Sequence, residues 1–294
     1  MLGPAGRRVA VACLAVLLVV LALVSFTVGT YSMTAEQLLS TIRAFFTGSI
    51  ADAETSRSVA VLFSIRIPRV LLACTVGAAL AVSGAAYQGI FRNPMVSPDI
   101  LGVSNAASVG VALGLLWGFP TVVVHAMSFA FGIGAVALVL LVSHVATRRS
   151  ADAQNVPIMA SVLAVGSATL LALRWRLNAL SFGDEEARSL GANTRFIRLL
   201  FIVCATLVTS SAVAMVGMVG WVGLVIPHLA RMIVGPNYKV LLPTSTLLGA
   251  VYLLIIDDLC RCLLAVELPL SVLTAVIGAP FFIYLLMRGR KTWA

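Results

Sequence analysis

Apolar segments of about 20 residues recur along the whole of this 294-residue chain, and no other feature constrains its fold as strongly. Hydrophobic residues make up 61% of the chain and charged residues 11%, whereas soluble domains contain about 45–50% and about 25%. No water-soluble core could hide this much apolar surface. We therefore predict an all-α, polytopic bundle of membrane-spanning helices that forms a single domain over residues 1–294. The apolar segments are 9–28, 68–91, 100–118, 121–146, 156–173, 197–217, 219–234, 242–263 and 269–287.

The formal net charge of +9 does not indicate nucleic-acid binding, because the basic residues stand in short groups between apolar segments. Positive charge in short loops marks the cytoplasmic side of a membrane protein. Basic groups at Arg7–Arg8 and Arg288–Lys291 therefore predict two cytoplasmic termini in the inner membrane. The segment 9–28 is long for a signal peptide and no clear cleavage site follows it, so we interpret it as a retained span.

The sequence contains no residue pattern that is typical of a catalytic site, a cofactor site or a metal site. Cys260 and Cys262 lack the spacing of metal ligands, and the five cysteines all lie in or beside apolar segments. His228 has no evident acid, base or nucleophile partner, as an enzyme would require. The phosphate-binding pattern G-x-x-x-x-G-K-[ST] does not occur, so ATP hydrolysis would need a separate subunit.

Three loops interrupt the apolar pattern. Residues 92–102 contain two prolines, an asparagine and a glycine, which cannot continue a helix. Broken backbone at membrane depth is tolerated where it is buried in protein or lines a wet cavity, although an ordinary exposed turn would give the same pattern. In the third loop, Pro227, His228 and Arg231 are costly in an apolar context unless they face a cavity or a partner.

The second loop, residues 180–191, holds three consecutive acidic residues, Asp184, Glu185 and Glu186. They begin a short helix-forming segment bounded by glycines, where the helix dipole favours negative charge. The segment is either a solvated loop helix or a rigid docking element for a cytoplasmic partner.

In this order, these loops resemble the FecCD family of iron-siderophore and cobalamin importer permeases. The resemblance covers about 60–150 and 175–290. The matching residues are Arg66-Ile-Pro-Arg69, Gly77-Ala-Ala-Leu, Ser83-Gly84, Gln88 to Pro94, Pro98, Leu101 to Ser104, Gly183 to Gly191, Gly223 to Arg231, Leu242-Pro243, Asp257, Arg261, Glu267 to Pro269 and Gly278 to Pro280.

The resemblance implies the type II permease fold of ABC importers, with ten spans. It also implies a second permease copy or paralogue, two cytosolic ABC ATPase subunits and an extracytoplasmic substrate-binding protein that delivers an iron-siderophore-type metal chelate. The implied ATPase-coupling loop comprises Gly183, Asp184, Glu185, Glu186, Ala187, Arg188, Leu190 and Gly191. The implied gate and translocation pathway comprise Asn93, Pro94, Pro98, Gly102, Ser104, Pro227 and His228. The residues implied in docking of the binding protein are Arg66, Arg69 and Arg261.

The docking arginines are unusual because the predicted topology places all three near the outer face, against the positive-inside rule. Anionic groups of a partner would explain them. Pairing at helix ends is the alternative, for example between Asp257 and Arg261, which are four residues apart.

The chain departs from the family at about 150–177, where one apolar stretch replaces two spans. Basic residues on both sides of 156–173 favour the cytoplasm, yet one crossing would separate them. About nine apolar segments also conflict with two cytoplasmic termini, which need an even number of spans. About one span is therefore missing, and either 156–173 is re-entrant or the chain is an internally deleted member of the family. We predict that 156–173 dips into the membrane and returns, or packs as an abortive half-span, with Gly166–Ser167 as the breaking point. One straight helix would instead favour a deleted permease whose transport competence is in question.

An ion-coupled secondary transporter is the alternative function. Such proteins use intramembrane carboxylates and broken helices near the midplane of the bilayer. Asp257 and Asp258 are the candidates here, and both lie near the end of a predicted span.

Overall fold

The structure is a computed structural model that describes residues 3–29, 31, 33–49, 52–97, 109–127, 130–131, 134, 156–181, 183–189, 193–216, 219–263 and 268–289. These residues form helices and connecting turns, and no strand occurs among them. The helices are α1 (Pro4–Thr27), α2 (Ala35–Thr47), α3 (Ala53–Ala60), α4 (Ile67–Ile90), α5 (Val156–Ala172), α6 (Arg174–Ser181), α7 (Asp184–Ser189), α8 (Thr194–Val216), α9 (Val222–Val234), α10 (Tyr238–Cys262) and α11 (Leu270–Gly289). A π-helical turn, Val61–Arg66, joins α3 to α4, and 109–116 and 121–127 are also helical.

Four helical segments of the described residues are long and apolar enough to cross a membrane. They are α1, the continuous segment Ala53–Ile90, most of α8, and α10. A fifth results if α5 and α6, which are bent by 51° at Leu173, count as one span. The predicted polytopic, all-α membrane protein is therefore confirmed.

The centre of the bundle is the antiparallel pair α4 and α10, which approach closely at small residues. A Cβ atom on Gly77 would lie 2.9 Å from the carbonyl carbon of Gly249, and one on Gly249 would lie 3.0 Å from that of Gly77. At Gly84, a Cβ atom would lie 2.6 Å from the Cα atom of Gly223 in α9. Small residues allow membrane helices to pack at this distance, where van der Waals contact drives association.

The helix ends lie at two opposite faces of the bundle. The end of α1 meets the start of α4 and the end of α10, where Arg66 donates to the carbonyl oxygen of Phe26. At the other face, the end of α4 lies beside the start of α10, where Gly89 packs against Tyr238. The positive-inside rule makes the first face the outer one and the second the cytoplasmic one.

The prediction that 156–173 breaks at Gly166 and returns is wrong. Helix α5 is continuous, and its first half packs in the outer half of the core, where Leu163 clusters with Val76. Its second half reaches the inner half, where Leu170 clusters with Ile90. Helix α5 therefore crosses. Gly166 does not break the helix because it packs against α8, and a Cβ atom there would collide with Val208.

The polar stretch after α1 forms a short helix, α2. Thr34 caps α2 with a reciprocal pair of bonds, in which Gln37 N donates to Thr34 Oγ1 and Thr34 N donates to Gln37 Oε1. Such a capping box satisfies backbone donors that the helix itself leaves unpaired. The Phe45 ring stacks on Phe63 at 3.8 Å and ties α2 to the start of the second span.

Candidate functional site

The turn after α4 breaks the helix as predicted. Arg92 has a positive φ of 50°, which is uncommon for a non-glycine residue and typical of strained functional positions. Asn93 Oδ1 then accepts a bond from Met95 N at 2.9 Å, which closes a local turn. Of the predicted gate residues, Asn93 is exposed and Pro94 half-buried in this turn. Pro98, Gly102 and Ser104 lie outside the described residues.

A cavity of about 590 Å³ opens beside this turn at the cytoplasmic face. Gln88, which is 1% exposed, donates from Nε2 to the carbonyl oxygen of Leu224 and accepts from Arg231 Nη2 at 3.2 Å. The cavity thus joins the end of α4, helix α9 and the turn before α10. Its lining residues are Gln88, Gly89, Arg92, Asn93, Pro94, Asn178, Ser181, Arg231, Pro236, Asn237 and Tyr238.

Pro227 and His228 lie on α9 but not among the lining residues of this cavity. Pro227 is buried inside the helix, and His228 is half-buried. No hydrogen-bond partner for His228 Nδ1 is present in the part of the chain that the structure describes. Trp221, which begins α9, has a positive φ of 71°. Pro227 and His228 therefore do not line the cavity beside the Asn93–Pro94 turn, although Arg231 on the same helix does.

The predicted coupling loop contains a helix, as expected. In α7, Ala187 is buried against the bundle, whereas Glu185, Glu186 and Arg188 are exposed. Arg188 Nε donates to Thr194 Oγ1 at 3.4 Å, which ties α7 to the start of α8. The exposed polar face is available to a partner. The backbone of Asp184 begins α7, and Leu190 and Gly191 lie outside the described residues.

The coupling helix and the turn after α4 are neighbours. A Cβ atom on Gly183 would lie 3.3 Å from Glu186 Oε2 and 3.9 Å from Arg92 Nη1. Gly183 also has a positive φ of 127°, so a side chain there would be strained. This contact places α7 at the cytoplasmic face, on the same side as Asn93 and Pro94.

At the outer face, two of the three predicted docking arginines are buried. Arg66 is 4% exposed and donates to the carbonyl oxygens of Phe26 and Tyr31. Because its guanidinium group bonds to the chain's own backbone, the structure argues against Arg66 as a direct contact of a binding protein. Arg69 is 29% exposed and remains the candidate.

The third arginine belongs to an ion cluster that joins three helices. Arg261, whose side chain is 6% exposed, pairs with Asp257 Oδ2 at 3.1 Å and with Asp258. It also donates to Ser25 Oγ at 2.7 Å, while Arg69 pairs with Asp257 at 3.0 Å. The alternative interpretation, pairing at helix ends, therefore accounts for Arg261. Both carboxylates proposed for an ion-coupled transporter are paired with arginines.

Sequence reasoning expected Arg231 to face a cavity or a partner, but it did not identify the other polar residues that the structure brings to this cavity. Gln88 and Arg231 stand in the stretches that carry the family resemblance, but their contact joins positions 143 residues apart. Asn178 and Asn237 carried no sequence signal, although Asn178 Nδ2 donates to Asn237 Oδ1 at 3.0 Å. Among the described residues, no group of three or more His, Cys, Asp or Glu could hold a metal ion.

Comparison with protein families gives one match over most of the chain. The model of the FecCD transport family matches residues 17–153 and 145–288. The two matched stretches meet at 145–153, next to the region where the sequence predicts a deletion.

Individual relatives align along nearly the whole chain. The molybdate import system permease protein of Haemophilus influenzae is 36% identical over 324 residues, covering 94% of this chain and 95% of that protein. The hemin transport system permease protein of Yersinia pestis is 34% identical over 339 residues, covering 98% of each. Both alignments exceed the 294 residues of this chain. This chain therefore lacks residues that its relatives have, which supports the internal deletion.

A solved structure shares the fold. It shows an ABC transporter assigned to the metal-chelate type in an inward-facing conformation, and it is 34% identical to this chain. The match covers 96% of this chain and 99% of the solved chain, with a TM-score of 0.67.

Proposed function

Because the chain belongs to the FecCD transport family and is a permease subunit of an ABC transporter, we propose that it imports an iron-siderophore-type metal chelate. The observation that carries the proposal is the 34% identity, over 96% of the chain, to a transporter assigned to the metal-chelate type. The hemin permease of Yersinia pestis adds a second relative whose cargo is an iron chelate.

In this proposal, α7 docks on a cytosolic ATPase subunit. Its support is geometric: Glu185, Glu186 and Arg188 are exposed at the cytoplasmic face, while Ala187 anchors the helix to the bundle. A short helix held in this way can move as a rigid unit, so a movement of the ATPase subunit would displace the adjoining part of the bundle. The contact between Gly183 and Arg92 then links ATPase docking to the turn that holds Asn93.

The Asn93–Pro94 turn acts as the inner gate in this proposal. A gate must change its backbone between closed and open arrangements, and residues in sparsely populated backbone regions are frequent in such segments. Arg92, at φ 50°, stands immediately before the turn. The cargo crosses between two permease copies and is released at this face without chemical change.

An extracytoplasmic binding protein delivers the cargo in this proposal, and Arg69 is its candidate contact at the outer face. Arg69→Gln, which removes the charge without setting a carboxylate against Asp257, should slow association of the binding protein, most clearly at low salt, because exposed charges act mainly by steering. Association measured by surface plasmon resonance tests this contact, with Arg43→Gln as the control on α2. Equal association rates at low salt for Arg69→Gln and the native chain would refute it.

Molybdate is the second candidate cargo, because the permease of Haemophilus influenzae named for it is 36% identical over 94% of this chain. Reconstitution with the ATPase and binding protein in proteoliposomes separates the two. We expect ATP-dependent accumulation of radiolabelled ferric hydroxamate that excess unlabelled molybdate does not reduce. Accumulation of molybdate without accumulation of ferric hydroxamate would show that the cargo is molybdate and not a metal chelate. Accumulation of neither would indicate that the shortened chain does not transport them.

A further inference from the structure

We propose that the cavity beside the Arg92–Pro94 turn is a binding site for a phosphate-type oxyanion at the cytoplasmic face. The anion is either free in the cytoplasm or part of a lipid headgroup, since both present the same oxygens. The site belongs to the permease alone. It can therefore be measured without ATPase, binding protein or transport, and it stands independently of the cargo.

The central cation of the site is Arg231. It is half-buried, and its side chain contacts neutral groups, namely Gln88 Oε1 at 3.2 Å and the Tyr238 hydroxyl. No carboxylate pairs with it within the residues that the structure describes. Arg231 lies in the last turn of α9, where the helix dipole already favours a cation, and an anion in the cavity would add a direct charge-assisted bond to its guanidinium group.

The surroundings of the cavity add positive charge. None of its described lining residues is acidic. Arg92 is among them, and Arg174 Nε donates to the carbonyl oxygen of Lys239 at 3.0 Å, next to the lining residue Tyr238. The side chains of Glu186 and Arg92 both lie beside Gly183, so the carboxylate of the coupling helix partly compensates the charge of Arg92. Arg231 is therefore the principal cation of the site.

Two of the lining residues, Asn93 and Asn237, carry amide groups. Asn93 Oδ1 accepts from Met95 N at 2.9 Å, and Asn237 Oδ1 accepts from Lys239 N at 3.0 Å. Because each amide oxygen is occupied by the backbone, the NH₂ groups of both lining residues are left as donors.

Donors on three segments of the chain thus surround one cavity: Arg231 on α9, Asn93 after α4 and Asn237 before α10. A tetrahedral oxyanion accepts hydrogen bonds in several directions and suits donors that converge from separate segments. Charge-assisted bonds from a guanidinium group to phosphate oxygens are among the strongest in proteins. This geometry favours a phosphate-type group over a cation or an apolar ligand.

The test measures binding of radiolabelled inorganic phosphate to the purified permease in dodecyl maltoside micelles, which contain no phosphate group. We expect saturable binding that weakens as sodium chloride is raised. Arg231→Gln should weaken it about tenfold or more, the loss of one charge-assisted contact. Arg195→Gln is the matched control, because it removes an exposed positive charge at the start of α8 and should leave binding unchanged.

A conservative variant separates lost binding from lost folding. Arg231→Lys keeps the charge and should retain salt-dependent binding even if Arg231→Gln does not yield a monodisperse protein. Phosphatidylglycerol added to the micelles identifies the source of the anion. Competition with phosphate indicates a lipid headgroup, and unchanged binding indicates a free oxyanion. Absence of saturable binding in the phosphate-free micelles, or equal affinity of the native chain and a folded Arg231→Gln variant, would overturn the proposal.

Discussion

Replacement of Gly84 by Ala tests the packing of α4 against α9 with a single methyl group. In the structure, the added Cβ atom would lie 2.6 Å from the Cα atom and the carbonyl carbon of Gly223, and nearer still to its carbonyl oxygen. Real Cβ atoms essentially never approach heavy atoms within 3.0 Å. The obstacle is helix backbone, which cannot rotate away as a side chain can, so α4 and α9 must separate.

Two opposing effects determine whether Gly84→Ala raises or lowers the free energy of unfolding. Ala in place of Gly inside a helix stabilises it by about 0.8–1.0 kcal/mol. Overpacking of a tight core costs about 1–3 kcal/mol, and a collision with backbone belongs at the upper end. We therefore expect the free energy of unfolding to fall by about 2 kcal/mol, although helix propensity alone predicts a rise.

The assay is thermal or denaturant unfolding of the purified permease in detergent micelles. Gly220→Ala serves as the matched control, because a Cβ atom there would meet nothing within 4 Å and the residue stands just before α9. Its effect should stay within about 0.5 kcal/mol. If Gly84→Ala proves as stable as the native chain, the close approach of α4 and α9 is incorrect.

Three further changes test other parts of the structure. Glu186→Ala with Arg188→Ala should weaken co-purification with the ATPase about tenfold, because both side chains are exposed on α7 where docking would occur. Arg261→Glu should lower the free energy of unfolding by about 3–5 kcal/mol, since it removes the arginine partner of Asp258 and sets a third carboxylate beside Asp257, which keeps only Arg69; detergent unfolding would measure it. Single cysteines at positions 150 and 181 in a cysteine-free chain should be labelled from opposite sides of the membrane, because α5 crosses between them.

Each of these tests has a clear contrary result. Glu36→Ala on α2 should leave ATPase co-purification unchanged, and an equal loss there would remove the argument for α7. Native-like stability of Arg261→Glu would mean that the ion cluster is not formed. Labelling of both cysteines from the cytoplasm would restore the re-entrant arrangement of 156–173.

The spans were predictable because their signal is local. Apolar residues at 9–28 and 242–263 need no knowledge of distant contacts, and α1 and α10 appear there with boundaries shifted by a few residues. The helix break at Asn93 and the short helix α7 also followed from local proline, glycine and charge patterns. Each depends on a few neighbouring residues.

Properties that depend on distant partners could not be predicted in the same way. Gly166 looks like a breaking point in sequence, but its role comes from Val208 on another helix. Arg66 looks like an outward-facing charge, but the carbonyl oxygens of Phe26 and Tyr31 bind it. A glycine or an arginine in an apolar stretch can have several structural roles. The residues that pack against it in the folded protein determine which role it has.

The outer ion cluster has a consequence for the order in which the chain folds during membrane insertion. Arg66 finds its partners on the neighbouring α1 end, so an N-terminal hairpin can close while synthesis continues. Ser25 and Asp258, by contrast, are 233 positions apart. Helix α1 can therefore pack against α4 early, but its bond to Asp258 cannot form until α10 has been synthesised. The complete attachment of α1 to the bundle is therefore a late step, which requires a nearly full-length chain.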